Sequence, residues 1–264
     1  MPINRHDGSS YAQTMLRRHD SAVGGWRGAP VFEHNGTEWV DTLLPTDLLV
    51  YYSFGTVGDA ATDRSGNGWD ATVVGSPAIG SSPAGPSLDL GGVDAGIDHA
   101  AVDPFDNGFG QRWYSVWFRT NDTTPRQVIH GEGGGTNGLI LYIDGGSLYY
   151  GVWANANSWA GEWISTPISA DTWYNAQLVF DHTGAGEMVL YLDNTNAASA
   201  VTGAEMAGHA SSGGLGYTKS NTIYHDGVDS SANYLDGEVA EFRVYDAPST
   251  ASDRDYLNQQ GTVQ

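Results

Sequence analysis

Between Thr172 and Asp193 the chain reads TWYNAQLVFDHTGAGEMVLYLD, and this stretch constrains the fold more than any other. Tyr174, Ala176, Leu178 and Phe180 alternate with Asn175, Gln177 and Asp181, so one face of a strand is apolar and the other polar. Met188, Leu190 and Leu192 alternate in the same way with Val189, Tyr191 and Asp193. The Gly-rich HTGAGE between them predicts a hairpin. Further strand patterns cover 48–54, 69–74, 112–119, 139–143, 148–153, 222–224 and 237–245, with turns rich in Gly, Asn and Asp. Helical period is scarce. One helix is predicted over 248–261, capped by Ser249 or Thr250 and ended by Gly261. Many short strands and few helices predict an all-β sandwich or jelly roll.

The order of these segments resembles the laminin-G-like, concanavalin A-like jelly-roll superfamily. LLVYYSF followed by DRSGNGWDATVVG resembles its opening strand and Asp-x-Ser-Gly-Asn turn. SLDLGGVDAGIDH, WYSVWFRTND, the 172–193 hairpin and YLDGEVAEFRVYDAPSTASDRDYL resemble its later strands and trailing helix. The resemblance implies one jelly roll over residues 46–264 and leaves function open, because the fold hosts many functions.

Residues 1–45 are expected to form a separate attachment and oligomerisation segment. The phrases RHDGSSYAQ, RRHDSAVGGW and EHNGTEWVD each place His before a polar turn and then an aromatic: Tyr11, Trp26 and Trp39. Asp7-Gly8 and Asn35-Gly36 predict two-residue hairpin turns, and the middle copy predicts a longer one. A lone hairpin is marginal in water, so the segment is expected to lean on other subunits, a trimer being favoured. His6, His19 and His34 recur at one position of the repeat. They are read as turn-flanking residues bonding the backbone; the other reading has them meeting around an axis to bind a metal. The phrases resemble repeats in the virion-attaching parts of haloarchaeal virus and phage structural proteins.

Charge supports that context. Acids number 31 against 11 bases, for a net charge of −20, and the acidity is spread along the chain. Lys219 is the single lysine. Such a surface suits molar salt, where charges are screened within about 3 Å. No basic patch is visible for nucleic acid or anionic lipid. No apolar run is long enough to span a membrane. Cysteine is absent, which excludes disulfides and thiolate metal sites. MPINRHDGSSYAQTML shows no apolar signal core. The expectation is a virion protein made in the host cytoplasm and displayed on an extracellular particle.

Three candidate sites follow. A glycosidase needs two acids on one strand face, but in DGEVAEF Glu238 and Glu241 are three apart, and Ala240 stands where a central Asp is needed. Catalysis is therefore not expected. For a metal, GDAATDRSGNGWD offers oxygen ligands, and the resemblance implies a Ca²⁺ site joining that turn to the acidic strand. Asp63, Asn67 and Glu241 are the expected ligands of a structural Ca²⁺. For ligand stacking, GVWANANSWAGEWIS places Trp153, Trp159 and Trp163 among Asn155, Asn157 and Glu162. Flat indoles suit the C–H face of a sugar, and amides and carboxylates suit its hydroxyls. Trp159 or Trp163 is expected to be exposed. The combined expectation is an outward-facing receptor-binding lectin that meets a host-surface glycan or S-layer protein, as a tail fibre, spike or turret. A decoration protein without a receptor and a cellular glycan-binding module remain open as alternatives.

Overall fold

The computed structural model describes residues 47–99, 103–209, 213–227 and 229–260, together with six three-residue strands before them. The chain divides into two compact units, Met1–Thr46 and Asp47–Gln264.

In the first unit, Asn4–His6 pairs with Tyr11–Gln13, Arg18–Asp20 with Gly25–Arg27, and Phe32–His34 with Trp39–Asp41. Each copy of the repeated phrase is thus an antiparallel hairpin. The hairpins are paired at His6–Tyr11, Asp20–Gly25 and His34–Trp39. The turns expected at Asp7-Gly8 and Asn35-Gly36, and the longer one in the middle copy, lie outside the described residues. The first and third hairpins join in a four-stranded sheet through Ala12 and Glu33. The readings of His6, His19 and His34 fall on side chains outside those described.

The second unit is a sandwich. Its strands open with β1 (Leu48–Tyr52), β2 (Thr72–Val74), β3 (Ala78–Ser82), β4 (Gly85–Asp89) and β5 (Gly96–Asp98). The long central strands are β6 (Gln111–Thr120), β7 (Gln127–Gly133), β8 (Asn137–Asp144), β9 (Ser147–Ala154) and β10 (Trp159–Pro167). Then come β11 (Tyr174–Asp181), β12 (Glu187–Leu192), β13 (Thr195–Ala200), β14 (Gly214–Leu215), β15 (Thr218–Ile223), β16 (Asp229–Ala232) and β17 (Gly237–Tyr245), followed by α1 (Ala251–Gln259). An eight-stranded antiparallel sheet runs β13-β12-β11-β6-β17-β4-β3, with β1 also on β17. A seven-stranded sheet runs β10-β9-β8-β7-β14-β5-β2. Inward-facing Tyr114, Val116, Phe118, Leu178, Phe180, Leu139, Leu141 and Tyr150 belong to the core between the sheets.

Both outer faces are covered as well. α1 starts at Thr250, whose Oγ1 accepts from Asp253 N while Asp253 Oδ2 accepts from Thr250 N, a reciprocal cap. Its Leu257 packs on Trp113, Val179 and Tyr245, and burial of such a side chain contributes about 1.5–3 kcal/mol. The cover corrects the reading of β11 as half-exposed: Asn175 and Gln177 are fully buried. Gln177 Nε2 donates to Asn175 Oδ1 and to Arg254 O, and Asn175 Nδ2 donates to Ser115 Oγ, so the amides of the polar row are bonded beneath the helix, with Gln177 Oε1 left without a partner. On the other sheet, Tyr224 follows β15 and packs on Val128, Ile140, Tyr142 and Trp153. Arg126 lies 4.3 Å over the Tyr224 ring and is paired with Asp144 and Asp226.

The outer strands of the sandwich's two large sheets, β13, β3, β1, β10 and β2, carry no Lys or Arg. Pro77 and Pro83 flank β3, and β2 is only three residues long. β10 ends at Pro167 and shifts register against β9 between Val152 and Ala154. β13 shifts against β12 between Leu190 and Tyr191.

Candidate functional site

The Asp63–Asn67 turn does different work from that expected. Asp63 Oδ1 accepts from Tyr51 N at 3.0 Å and Ser65 N at 2.9 Å; its Oδ2 accepts from Ser65 Oγ at 2.7 Å and Trp69 N at 3.0 Å. Asn67 turns its amide N–H groups to Leu48 O and Leu49 O. Arg64 N donates to Tyr51 O and Ser65 Oγ donates to Leu49 O. The turn is a clasp on the free edge of β1, taking up backbone groups that β17 leaves unpaired. Glu241 is committed elsewhere: it accepts from Tyr51 OH at 2.7 Å and from Arg243 at 2.5 Å. The expected calcium ligands thus all have partners within the chain. Each oxygen of Asp63 already faces two donors, Asn67 offers N–H toward the chain, and Glu241 is neutralised by Arg243. Among the described residues no group of three or more His, Cys, Asp and Glu is placed to hold a metal.

The carboxylates of β17 share a face, contrary to the alternation argument. Glu241 has φ 51° and the pairing with β6 shifts register between Ser115 and Trp117, so an extra residue sits at Glu241. Val239, Phe242 and Val244 enter the core. Glu238 and Glu241 both lie outside it. Glu238 accepts from Arg119 at 3.2 Å and from Ser87 Oγ at 2.5 Å. Arg243 stands 4.3 Å over the Tyr51 ring. Burial, opposed by Arg243, pushes the Tyr51 hydroxyl up to about 12. Both acids are held in ion pairs, Glu238 with Arg119 and Glu241 with Arg243.

A second polar group lies between the sheets. Glu132 on β7 is buried and accepts from Tyr114 OH at 2.8 Å, while its Oε2 has no partner. His209 stands 3.9 Å from it, and His130 lies 5.2 Å from the Tyr114 ring centre. Burial raises Glu132 to about 7 and lowers His99 and His209 to about 4. Sequence reasoning missed this cluster. The signal was present in VIHGEG, since His130 and Glu132 are two apart and share a strand face.

The tryptophan segment forms one corner of the seven-stranded sheet. β9 ends at Ala154, a single helical turn covers Asn155–Asn157, Ser158 is left-handed with φ 63°, and β10 begins at Trp159. Asn155 N donates to Thr136 O and Ala156 N to Asn137 Oδ1, which fixes the turn to β8. Asn157 Nδ2 donates to Glu205 O at 2.8 Å, tying it to the 203–206 loop. Asn155, Asn157, Ser158 and Glu162 are exposed.

The three indoles differ. Trp153 is fully buried among Val128, Ile140, Tyr142 and Tyr224, and its Nε1–H donates to Gly134 O, so its place in a ligand surface is corrected. Trp159 and Trp163 are half-buried, and neither is exposed as expected. Each is held by a glycine. A Cβ on Gly151 would stand 2.2 Å from Trp163 Nε1, and one on Gly203 would stand 2.4 Å from Trp159 Cδ1. Trp163 also stacks on Trp153 at 6.2 Å, and Trp159 lies 6.4 Å from Phe180. The two indoles lie on opposite faces of the sheet: Trp159 packs against the core between the sheets and Trp163 against the outer cluster around Tyr224, with exposed amides, a hydroxyl and a carboxylate in the same segment.

Comparison with solved structures finds the same fold elsewhere. Domain 4 of AbnA, an extracellular arabinanase from Geobacillus stearothermophilus solved with arabinotriose, is 18% identical, with a TM-score of 0.59 over 81% of this chain and 98% of that one. The receptor-binding domain of botulinum neurotoxin type G is 12% identical, with a TM-score of 0.57 over 81% of this chain and 51% of that one. The binding domain of Paraclostridial mosquitocidal protein 1 is 12% identical, with a TM-score of 0.61 over 81% and 52%. The chain thus spans about half the length of the two toxin domains. At such identities the likeness shows the fold alone. No curated protein sequence matches the chain. The family model for the concanavalin A-like lectin/glucanases superfamily matches residues 94–253, and with the two-sheet sandwich around that span the chain belongs to this superfamily.

Proposed function

We propose that the protein is a non-catalytic glycan-recognition module whose ligand docks at the Asn155–Trp163 corner. One observation carries this reading. Trp159 and Trp163 are locked over glycines on opposite faces of β10, and Asn155, Asn157, Ser158 and Glu162 of the same segment stay open to solvent. Rigid aromatic area with adaptable polar groups is the composition of a recognition surface. Neighbours of the same fold add support, since one was solved with arabinotriose and a botulinum type D domain with N-acetylneuraminic acid. The ion-paired Glu238 and Glu241 support a binding role over hydrolysis.

Glycan-array binding in molar salt tests it. Trp163→Ala is expected to weaken any bound glycan by at least about tenfold, roughly 1.4 kcal/mol. Asn157→Ala, which leaves the indoles in place, is expected to weaken it less. Undiminished binding by both folded variants removes the corner from the argument.

The wider setting is part of the proposal. The spread acidity and single lysine support a protein that works in brine. The three hairpins in Met1–Thr46 form a unit of their own, which supports an attachment role in a virion of a halophilic host. The sandwich would then face outward from an extracellular particle toward a host surface. Light scattering of the full chain in molar NaCl is expected to read an oligomer, with a trimer favoured. A monomer at micromolar concentration would count against attachment through these hairpins.

A further inference from the structure

We infer that the glycan taken at this corner is uncharged. The inference rests on the glycan reading and adds the class of sugar. No Lys, Arg or His occurs between His130 and His182, the stretch that carries Asn155–Trp163. On the facing 203–206 loop no residue is basic, and the neighbouring His182 is hydrogen-bonded through Nδ1 to Thr202 Oγ1; the exposed charged side chains of the corner are acids. Glu162 is exposed on β10, and Glu205 is exposed on the loop that receives Asn157.

Cations elsewhere in the sandwich are already engaged. Arg112 donates to Pro104 O at 2.6 Å and faces Asp246. Arg119 holds Asp171 and Glu238, and Arg126 holds Asp144 and Asp226. Lys219 holds Asp98 at 2.7 Å and Arg243 holds Glu241. Arg254 bonds Ser249 and lies 4.0 Å over Tyr191. Arg64 also has its own interaction.

Carboxylated and sulfated sugars are gripped through charge-assisted, often bidentate hydrogen bonds, for which Arg is the fitted donor. The corner has none to give. Molar salt screens long-range repulsion within about 3 Å, but it cannot supply the missing contact donor. The groups present suit a neutral sugar instead. Asn155 and Asn157 can donate and accept, Glu162 accepts from hydroxyls, and either indole can take the ring's C–H face on its own side of β10.

The test uses the full chain against matched pairs of immobilised oligosaccharides, such as lactose with 3′-sialyllactose and neutral oligosaccharides with their sulfated or uronic forms. Binding is read at low and at molar salt. The neutral member of each bound pair is expected to bind at least about tenfold tighter at both salts. Glu162→Arg is expected to bring the charged member to within about threefold of its partner. Equal or tighter binding of charged members by the unaltered chain overturns the inference and leaves the glycan reading standing. Binding of no member of either class overturns both.

Discussion

Glu241 and Glu132 are both hidden from water, yet the sandwich treats them differently. On the outer face of the eight-stranded sheet, Glu241 has a guanidinium at 2.5 Å and a tyrosine hydroxyl at 2.7 Å. Between the sheets, Glu132 has one tyrosine hydroxyl and a histidine 3.9 Å away whose own charge burial suppresses. The first carboxylate keeps a partner cation. The second is pushed toward its neutral form by burial, which the charge of Arg112 offsets only in part. The outer-face Glu241 is therefore held in an ion pair, whereas the interior Glu132 responds to pH.

The largest test breaks the outer pair. Arg243→Met leaves Glu241 without its cation and is expected to cost about 3–5 kcal/mol in denaturant unfolding. A loss below about 1 kcal/mol would show that Tyr51 alone suffices and would erase the contrast.

A somewhat smaller effect is expected at Glu132. Its folded value of about 7 lies above the ordinary 4.5, so the wild type loses stability as pH rises from 4.5 to 7. Glu132→Gln keeps an acceptor for Tyr114 and removes that loss. It is expected to be more stable than wild type at pH 8 by about 3 kcal/mol, because each tenfold change in proton affinity is worth roughly 1.4 kcal/mol. Below pH 4.5 it is expected to show no such gain. His99 and His209, lowered to about 4, act in the opposite sense and cost both proteins stability as pH falls from 6.5 to 4. Parallel stability–pH curves for wild type and variant would sink the distinction between the two regions.

The regular parts of the fold were legible because their period is unbroken. β6, β11 and β12 announce themselves by alternating large apolar residues, and Thr250 with Asp253 announces the helix. β7, β10 and β13 were missed, since register shifts near Ile129, Ala160 and Ala197 break their alternation and their residues are small or polar. The same kind of irregularity at Glu241 defeated the face argument for Glu238. At the corner, Asn155 and Asn157 were readable as exposed turn residues. Trp153 could not be told from Trp163, because burial is decided by which neighbour covers the indole, and that neighbour is distant in sequence. Asp63 and Asn67 misled for another reason: oxygens and amides that suit a cation also suit a bare strand edge.

The way the sandwich closes its borders has a consequence for where it can live. A border guarded by like-charge repulsion loses its guard as ionic strength climbs. Here prolines, register shifts, a three-residue strand and the Asp63–Asn67 clasp leave an approaching chain few matching groups to bond. Such a barrier is a matter of shape, so these flanks should stay unstuck in dilute buffer and in saturated brine alike.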